Sequence, residues 1–309
     1  MMKKRLIVLV DSPRYIRSNC YQSQLMATLK SFYRVEMISA DRIAHRKEIA
    51  PRDGEKILSV LRLRTLQRLL PELGYLLGDI PIWVYEQDPW HAFMDESPHR
   101  GAYRQTAETL NVVSYLNTSL WWSEYIRGQG LPSVFVRMGM LPEFCDVGKV
   151  WEKRSIAIGF QGTIHPHRRK FFGALAAMGV SVTVLESASY KRYLKRLHDI
   201  QIYVHTENDP WVLQGVPTPR NALWIKDTEV AARGCFAIRN HEDEAEAYDI
   251  SELPTIFTFR EVAEVPDIIE RIQSMPSAER AERMRTSVER MRQRNDWMTV
   301  VDAIEGRRT

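Results

Sequence analysis

Cysteine is scarce in this 309-residue chain: three residues, Cys20, Cys145 and Cys235, lie far apart and at no metal-ligand spacing. An odd, dispersed set makes neither a disulfide framework nor a zinc site. It suits a reducing compartment, so a cytoplasmic protein is expected. Long apolar runs are missing too. Lys3-Lys4-Arg5 precede Leu6 to Val10, but the run stops at Asp11, short of the roughly 7–15 residues of a signal peptide and the about 20 of a membrane helix. Neither segment is expected, and any membrane contact would be peripheral. Charge of one sign is not in excess either: 43 Lys and Arg against 39 Asp and Glu leave +4, too small a surplus to demand a nucleic-acid partner. Several motifs are absent. Without G-x-x-x-x-G-K-[ST] a P-loop hydrolase is disfavoured, and the first strand-helix junction, Asp11-Ser12-Pro13-Arg14, has no glycine to admit a dinucleotide pyrophosphate. The lack of G-x-S-x-G and H-E-x-x-H argues against a lipase-type hydrolase and a zinc protease.

What is present is an alternation of two periods. Leu6 to Val10, Val35 to Ile38, Ile82 to Tyr85, Val112 to Tyr115 and Ser133 to Val136 read as strands. Between them Tyr21 to Phe32, the Leu-rich Glu55 to Leu77 and the aromatic Ser119 to Arg127 read as helix-forming segments. The rhythm lapses around Gly139 to Lys153 and restarts at Ser155 to Phe160. A second cycle follows: helix His167 to Met178, strand Val182 to Leu185, helix Tyr190 to Leu197, strand Ile200 to His205, helix Thr228 to Arg233 and strand Phe236 to Arg239. The charged Ser277 to Asp302, with Met284, Val288 and Met291 on one face, reads as a terminal helix. Length and rhythm together predict an α/β protein of two Rossmann-like parallel-sheet domains, residues 1–148 and 149–309. Such pairs bind ligands in the cleft between them.

The most informative segment ends the first strand of the second half. Gly162 and Thr163 are followed by His165-Pro166-His167-Arg168-Arg169-Lys170, which opens a helix. Small residues before a helix N-terminus, with Arg168 and Lys170 adding fixed positive charge, make a candidate diphosphate cradle. The bland alternative is a solvated basic helix face.

Further on comes Lys226-Asp227-Thr228-Glu229-Val230-Ala231-Ala232-Arg233-Gly234-Cys235-Phe236-Ala237-Ile238. This resembles the E-A-x-A-x-G-x-P-V segment of group 1 glycosyltransferases of the GT-B fold, most of all the spore-maturation-type branch, where a basic residue stands three positions before the glutamate. The resemblance covers roughly residues 130 to 300. It implies a GT-B-like architecture, with an N-terminal acceptor domain and a C-terminal donor domain. It also implies that Glu229 accepts hydrogen bonds from the ribose hydroxyls of a nucleotide-sugar, as an acceptor-only carboxylate can, while Arg168, Lys170, Arg220 and Lys226 neutralise the diphosphate. In retaining members a glutamate stands eight positions earlier. Here that position is Asn221, so retention of configuration is not carried over.

On this reading the strand-end segment Glu86-Gln87-Asp88-Pro89-Trp90-His91 supplies the catalytic candidates. Asp88 or His91 would remove the acceptor hydroxyl proton, or His91 would hold the transferred sugar. An Asp-Pro turn is the plain alternative. Glu86 and Asp88 also match the acidic metal motif of the GT-A fold, which the donor-type pattern disfavours. Asp11 is the acceptor-side candidate, and His205 and Glu207 are candidates for the donor sugar. The expected activity is therefore hexosyl transfer from a nucleotide-diphosphate sugar, with no metal and no other cofactor. The acceptor stays open: exported polysaccharide, a metabolite or a modified DNA base. An isoelectric point near 8.9 lends the nucleic acid little, because the basic residues are dispersed. The alternatives are a nucleotide-sugar epimerase of the same fold and a non-catalytic two-domain binding protein.

Overall fold

The computed structural model describes residues 3–19, 21–46, 49, 51–52, 54–86, 88–207, 211–218, 225–240 and 253–307, with backbone alone at 17–19, 46 and 211. The chain forms two compact units. The first comprises Met1–Arg137, Pro210–Ala222 and Trp297–Thr309; the second comprises Met138–Asp209 and Leu223–Asp296. The division falls earlier than the expected 148/149 boundary, and it gives the C-terminal segment to the first unit.

The first unit holds a six-stranded, all-parallel sheet of β1 (Arg5–Val10), β2 (Arg34–Ser39), β3 (Lys56–Ser59), β4 (Ile82–Glu86), β5 (Val112–Asn117) and β6 (Ser133–Phe135), in the order β2-β1-β3-β4-β5-β6. Leu6 to Val10 are all fully buried, as befits a parallel strand covered on both faces. Helices α1 (Pro13–Asn19), α2 (Gln22–Phe32), α3 (Leu63–Leu77), α4 (Ala102–Thr109) and α5 (Leu120–Gly128) make the crossovers. The segment read as one helix from Glu55 is in fact β3 followed by α3. The central strand Lys56-Ile57-Leu58-Ser59 is short, continuously apolar in its middle and flush against the leucines of α3, so periodicity could not separate them.

The second unit carries a five-stranded parallel sheet of β7 (Ile156–Gln161), β8 (Thr183–Leu185), β9 (Ile200–His205), β12 (Phe236–Asn240) and β13 (Ile256–Phe259), in the order β13-β12-β9-β7-β8. The hairpin of β10 (Trp211–Leu213) and β11 (Val216–Thr218) interrupts it in sequence and belongs to the first unit. Helices α6 (Pro166–Ala177), α7 (Tyr190–Leu197), α8 (Ile225–Ala232), α9 (Val265–Ser274) and α10 (Ser277–Gln293) complete the second unit. Its core joins Phe171 and Leu175 of α6, Ile202 and Val204 of β9, Phe236 and Ile238 of β12, and Val265, Ile269 and Ile272 of α9.

The terminal helix is two helices. It breaks after Gln293 and resumes as α11 (Met298–Glu305). In the first unit Trp297 stacks on Tyr21 with centroids 6.1 Å apart, and Lys56 Nζ donates to the Ile304 carbonyl at 2.7 Å and pairs with Glu305 at 3.0 Å. In each unit the first strand has the second on one side and the third on the other. The chain thus reverses across the sheet between them, and the carboxyl ends of that pair form the topological switch point where open α/β sheets bind ligands.

Candidate functional site

In the second unit the switch point lies at the ends of β7 and β9. Beyond Gln161 the chain has no side chain at Gly162: a Cβ there would stand 3.0 Å from the Phe160 ring and 3.4 Å from Lys226 Nζ. The ammonium of Lys226 lies against this glycine at the strand end, where it donates to the Gln161 carbonyl at 3.2 Å. The same ammonium lies 5.0 Å from the centre of the Tyr193 ring, a cation–π geometry. Three residues further along α8, on the same helix face, Glu229 is buried. Burial raises its carboxyl to about 7, against the pull of the Lys226 charge and the hydroxyls of Tyr190 and Tyr193. Burial also lowers Lys226, opposed by Glu229 and Glu207. A cation and a carboxyl held near neutrality thus stand side by side at the strand ends.

Behind them is a buried polar network. Arg168, on the first turn of α6, turns inward: Nη1 donates to the Thr163 carbonyl at 2.8 Å, Nη2 pairs with Glu207, and Nε reaches the Thr206 carbonyl at 3.4 Å. His205 Nε2 lies 3.1 Å from Asp227 Oδ1 and its Nδ1 lies 3.7 Å from Glu207 Oε1. Arg239 Nη1 donates to Asp227 Oδ2 at 2.8 Å, and the Glu207 backbone N–H donates to Asn240 Oδ1 at 2.8 Å. Arg168, His205, Glu207, Asp227 and Arg239 are each less than a tenth exposed. Burial would push Glu207 up, but the hydrogen bond from His205 and the charge of Arg168 outweigh it and bring the carboxyl down to about 2. The network locks the residues that follow β7 and β9 to the start of α8, so the strand-end groups are held rather than free to swing.

The structure therefore brings Gly162, Arg168, His205, Glu207, Lys226 and Glu229 to one sheet edge. Thr163 lies exposed two residues beyond the strand, with its carbonyl used by Arg168. Lys170 is not part of the group: it stands exposed on the solvent side of α6, because two residues along a helix turn a side chain to the opposite face. Arg220 and Asn221 lie outside the described residues. Asp227, Arg239, Asn240 and the tyrosines of α7 were not foreseen. Asn240 carried a readable signal, since it ends a parallel strand.

At the switch point of the first unit, Asp11 and Asp88 share a cavity of about 130 Å³ with Tyr21, Arg62 and Glu86. Asp11 is also structural: Oδ2 accepts the Arg62 backbone N–H at 3.0 Å and pairs with Arg62 Nε at 3.3 Å, and the carboxylate accepts the Thr65 hydroxyl. It thereby satisfies the start of α3, which has no side-chain cap of its own. The Asp88 backbone N–H donates to Glu86 Oε1 at 3.0 Å. His91 is not on the cavity wall. It sits in the short turn Pro89–Ala92, its carbonyl accepting the Ser97 hydroxyl and its ring tilted against Trp90. Among the described residues no three His, Cys, Asp or Glu side chains stand together as a metal site, and no helix is long and apolar enough to cross a membrane.

No family model matches the chain, and no curated protein sequence does. Solved structures do. The Anabaena protein Alr3699/HepE, in complex with UDP and glucose, matches with a TM-score of 0.66 over 98% of both chains at 11% identity. Phage T4 BGT in complex with its UDP-glucose substrate matches at 0.61, over 97% of this chain and 99% of that one, at 8% identity. An α-glucosyltransferase with UDP and a 13-mer DNA containing an HMU base matches at 0.58, over 98% and 99%, at 11% identity. These neighbours are GT-B glycosyltransferases. The chain has the GT-B fold. At such identities the likeness is one of fold, two parallel-sheet α/β units of six and five strands, and the activity must be argued from the residues.

Proposed function

We propose that the protein is a glycosyltransferase that moves a hexosyl group from a nucleotide-diphosphate sugar, UDP-linked as in the structural neighbours, to a hydroxyl acceptor without a metal ion. One observation carries this reading: Lys226 Nζ closes on the strand end beside Gly162, with Glu229 one turn along the same helix. Lys226 faces the diphosphate and offsets the charge that grows on it as the glycosidic bond breaks. Glu229, once ionised, accepts the ribose hydroxyls. The Arg168–Glu207–His205–Asp227 network keeps both groups in place, so little reorganisation accompanies reaction. In the first unit Asp88 is the base for the acceptor hydroxyl, with Asp11 beside it on the cavity wall. Within the GT-B fold, the Glu229 to Ile238 segment favours the group 1 branch. Two free, buried cysteines, Cys145 and Cys235, accord with a cytoplasmic protein.

The test is a thermal-shift screen against UDP, GDP, ADP, CMP and dTDP, each with Mg²⁺ or EDTA, because a ligand bound only by the folded state raises Tm. A rise with one nucleoside diphosphate that survives EDTA and vanishes in Glu229→Ala is the expected result. No rise with any of them would overturn the donor-site reading. A rise that needs Mg²⁺ would overturn its metal independence.

A further inference from the structure

The first unit has a second concavity, separate from the cavity of Asp11 and Asp88. It is a groove of about 350 Å³ between α4 and α5, at the lower end of the roughly 300–1,000 Å³ usual for small-molecule sites. One wall is the ring of Tyr125, which is clamped. It lies parallel to Trp121 at 5.4 Å and 6°, and edge-on to Trp122 and Phe93, each at 5.4 Å. Around the ring stand flat polar side chains: Arg104, Gln105 and Glu108 from α4, Gln129 from the end of α5, and Gln214.

Gln214 comes from far along the chain and is placed there at a conformational cost. The turn Gln214–Gly215 closes the β10–β11 hairpin with φ of +52° and +78°. Two positive φ values in a two-residue turn are the type I′ geometry, for which Asn, Asp and Gly are the favoured residues. A glutamine held there is mildly strained. The tip is fastened nonetheless: Asp95 N–H donates to the Val212 carbonyl at 2.7 Å and Gly215 N–H donates to Asp95 Oδ2 at 2.8 Å. The product is a long amide on the rim of the groove, its Nε2 donating to the Tyr125 hydroxyl at 3.2 Å.

A fixed aromatic ring beside planar groups that donate and accept suits a pyranose. A pyranose offers an apolar C–H face to the ring and vicinal hydroxyls to amides, guanidinium and carboxylate. An aliphatic ligand would cover those polar groups without offering them new partners. A polyanion would meet Glu108, and Arg100, the other cation on the wall, is paired with Asp95 at 3.0 Å. We propose that this groove is a carbohydrate-binding site that takes one or two rings of a neutral glycan. It does not depend on the donor-site reading, since none of the donor residues lines it.

The experiment uses the full-length protein without nucleotide. Maltotriose, cellotriose, triacetylchitotriose and, as the acidic control, trigalacturonate are titrated while tryptophan fluorescence is followed, with saturation-transfer NMR on the sugar protons. At least one neutral trisaccharide binds with Kd on the order of 1 mM, and Gln129→Ala and Gln214→Gly each weaken it by about threefold to tenfold. Tyr125→Phe, which keeps the ring, weakens it less than either. Glu229→Ala leaves it unchanged. No binding of any neutral trisaccharide up to about 10 mM, binding that both glutamine variants leave intact, or preference for trigalacturonate would each overturn the proposal.

Discussion

The carboxyl edges of the two sheets are built on one plan and filled in opposite ways. Both sheets place their first strand between the second and the third, and both gather polar side chains along the carboxyl edge. In the second unit the space behind the strand ends is closed by Arg168, His205, Glu207, Asp227 and Arg239, all buried and mutually bonded. In the first unit Asp11, Glu86 and Asp88 rim an open cavity of about 130 Å³. Strand order decides where a site lies, and the residues at the strand ends decide what it can do. A locked edge suits one constant ligand, such as a nucleotide. An open edge can be altered residue by residue without loss of the fold.

The sharpest way to break this contrast is to remove one carboxylate from each edge. Asp227→Ala removes the carboxylate that Arg239 Nη1 and His205 Nε2 both meet, and should cost about 3–5 kcal/mol. Asp88→Ala, on a half-exposed turn, should cost less than about 1 kcal/mol while abolishing sugar transfer. Urea unfolding of the two full-length variants measures both. Equal losses would show that the second edge is no more locked than the first.

What the sequence disclosed follows the same division. Lys226 and Glu229 were legible because their helix is short, rich in small residues and closed by Gly234 before an apolar strand. The strands that end at Gln161 and His205 showed as apolar runs. Their neighbours did not show. Asp227, in the first turn of α8, pairs with Arg239, near the end of β12, and such a pair has no period to betray it. The strand β3 was hidden by its length of four residues and by the leucines that follow. The hairpin from Trp211 to Thr218 and helix α11 belong to the first unit although the chain before them belongs to the second, and a contiguous reading has no signal for such an exchange. Arg168 was read from the sequence as a diphosphate contact; in the structure its guanidinium pairs with Glu207, so its charge is already balanced in the fold.

Nucleotide affinity probes the locked edge from the ligand side. Glu229→Ala removes an acceptor from the proposed ribose contact and should weaken UDP by roughly 10- to 100-fold, the equivalent of about 1.5–3 kcal/mol for a charge-assisted hydrogen bond. Isothermal titration gives the number. Because the carboxyl titrates at about 7, wild-type affinity should rise with pH through that value, and the rise should be missing in Glu229→Gln. A pH-independent wild-type affinity would take Glu229 out of the site.

The two glutamates of this edge also pull stability in opposite directions with pH. Glu229 is raised from 4.5 to about 7. Its contribution is therefore fully present below 4.5 and is lost as pH rises through about 7. Glu207 is lowered from 4.5 to about 2, so its contribution is present above 4.5 and lost as pH falls through about 2. Urea midpoints between pH 4.5 and 7 should fall with pH in the wild type and fall less in Glu229→Gln. Parallel profiles would mean that Glu229 ionises normally.

The smallest effect separates structure from function at the open edge. Asp11 both faces the cavity and satisfies the start of α3 through Arg62 N–H and the Thr65 hydroxyl. Asp11→Ala removes that cap and should cost about 1 kcal/mol. Asp11→Asn keeps one oxygen for the Arg62 N–H but loses the charge and the oxygen that accepts the Thr65 hydroxyl, so urea unfolding should place it between the wild type and Asp11→Ala. If Asp11→Asn is as unstable as Asp11→Ala, the ion pair with Arg62 carries the α3 junction. If it is stable but raises KM for the acceptor with kcat unchanged, the carboxylate belongs to the cavity as well as to the helix, and the open edge binds through a residue the fold already needs.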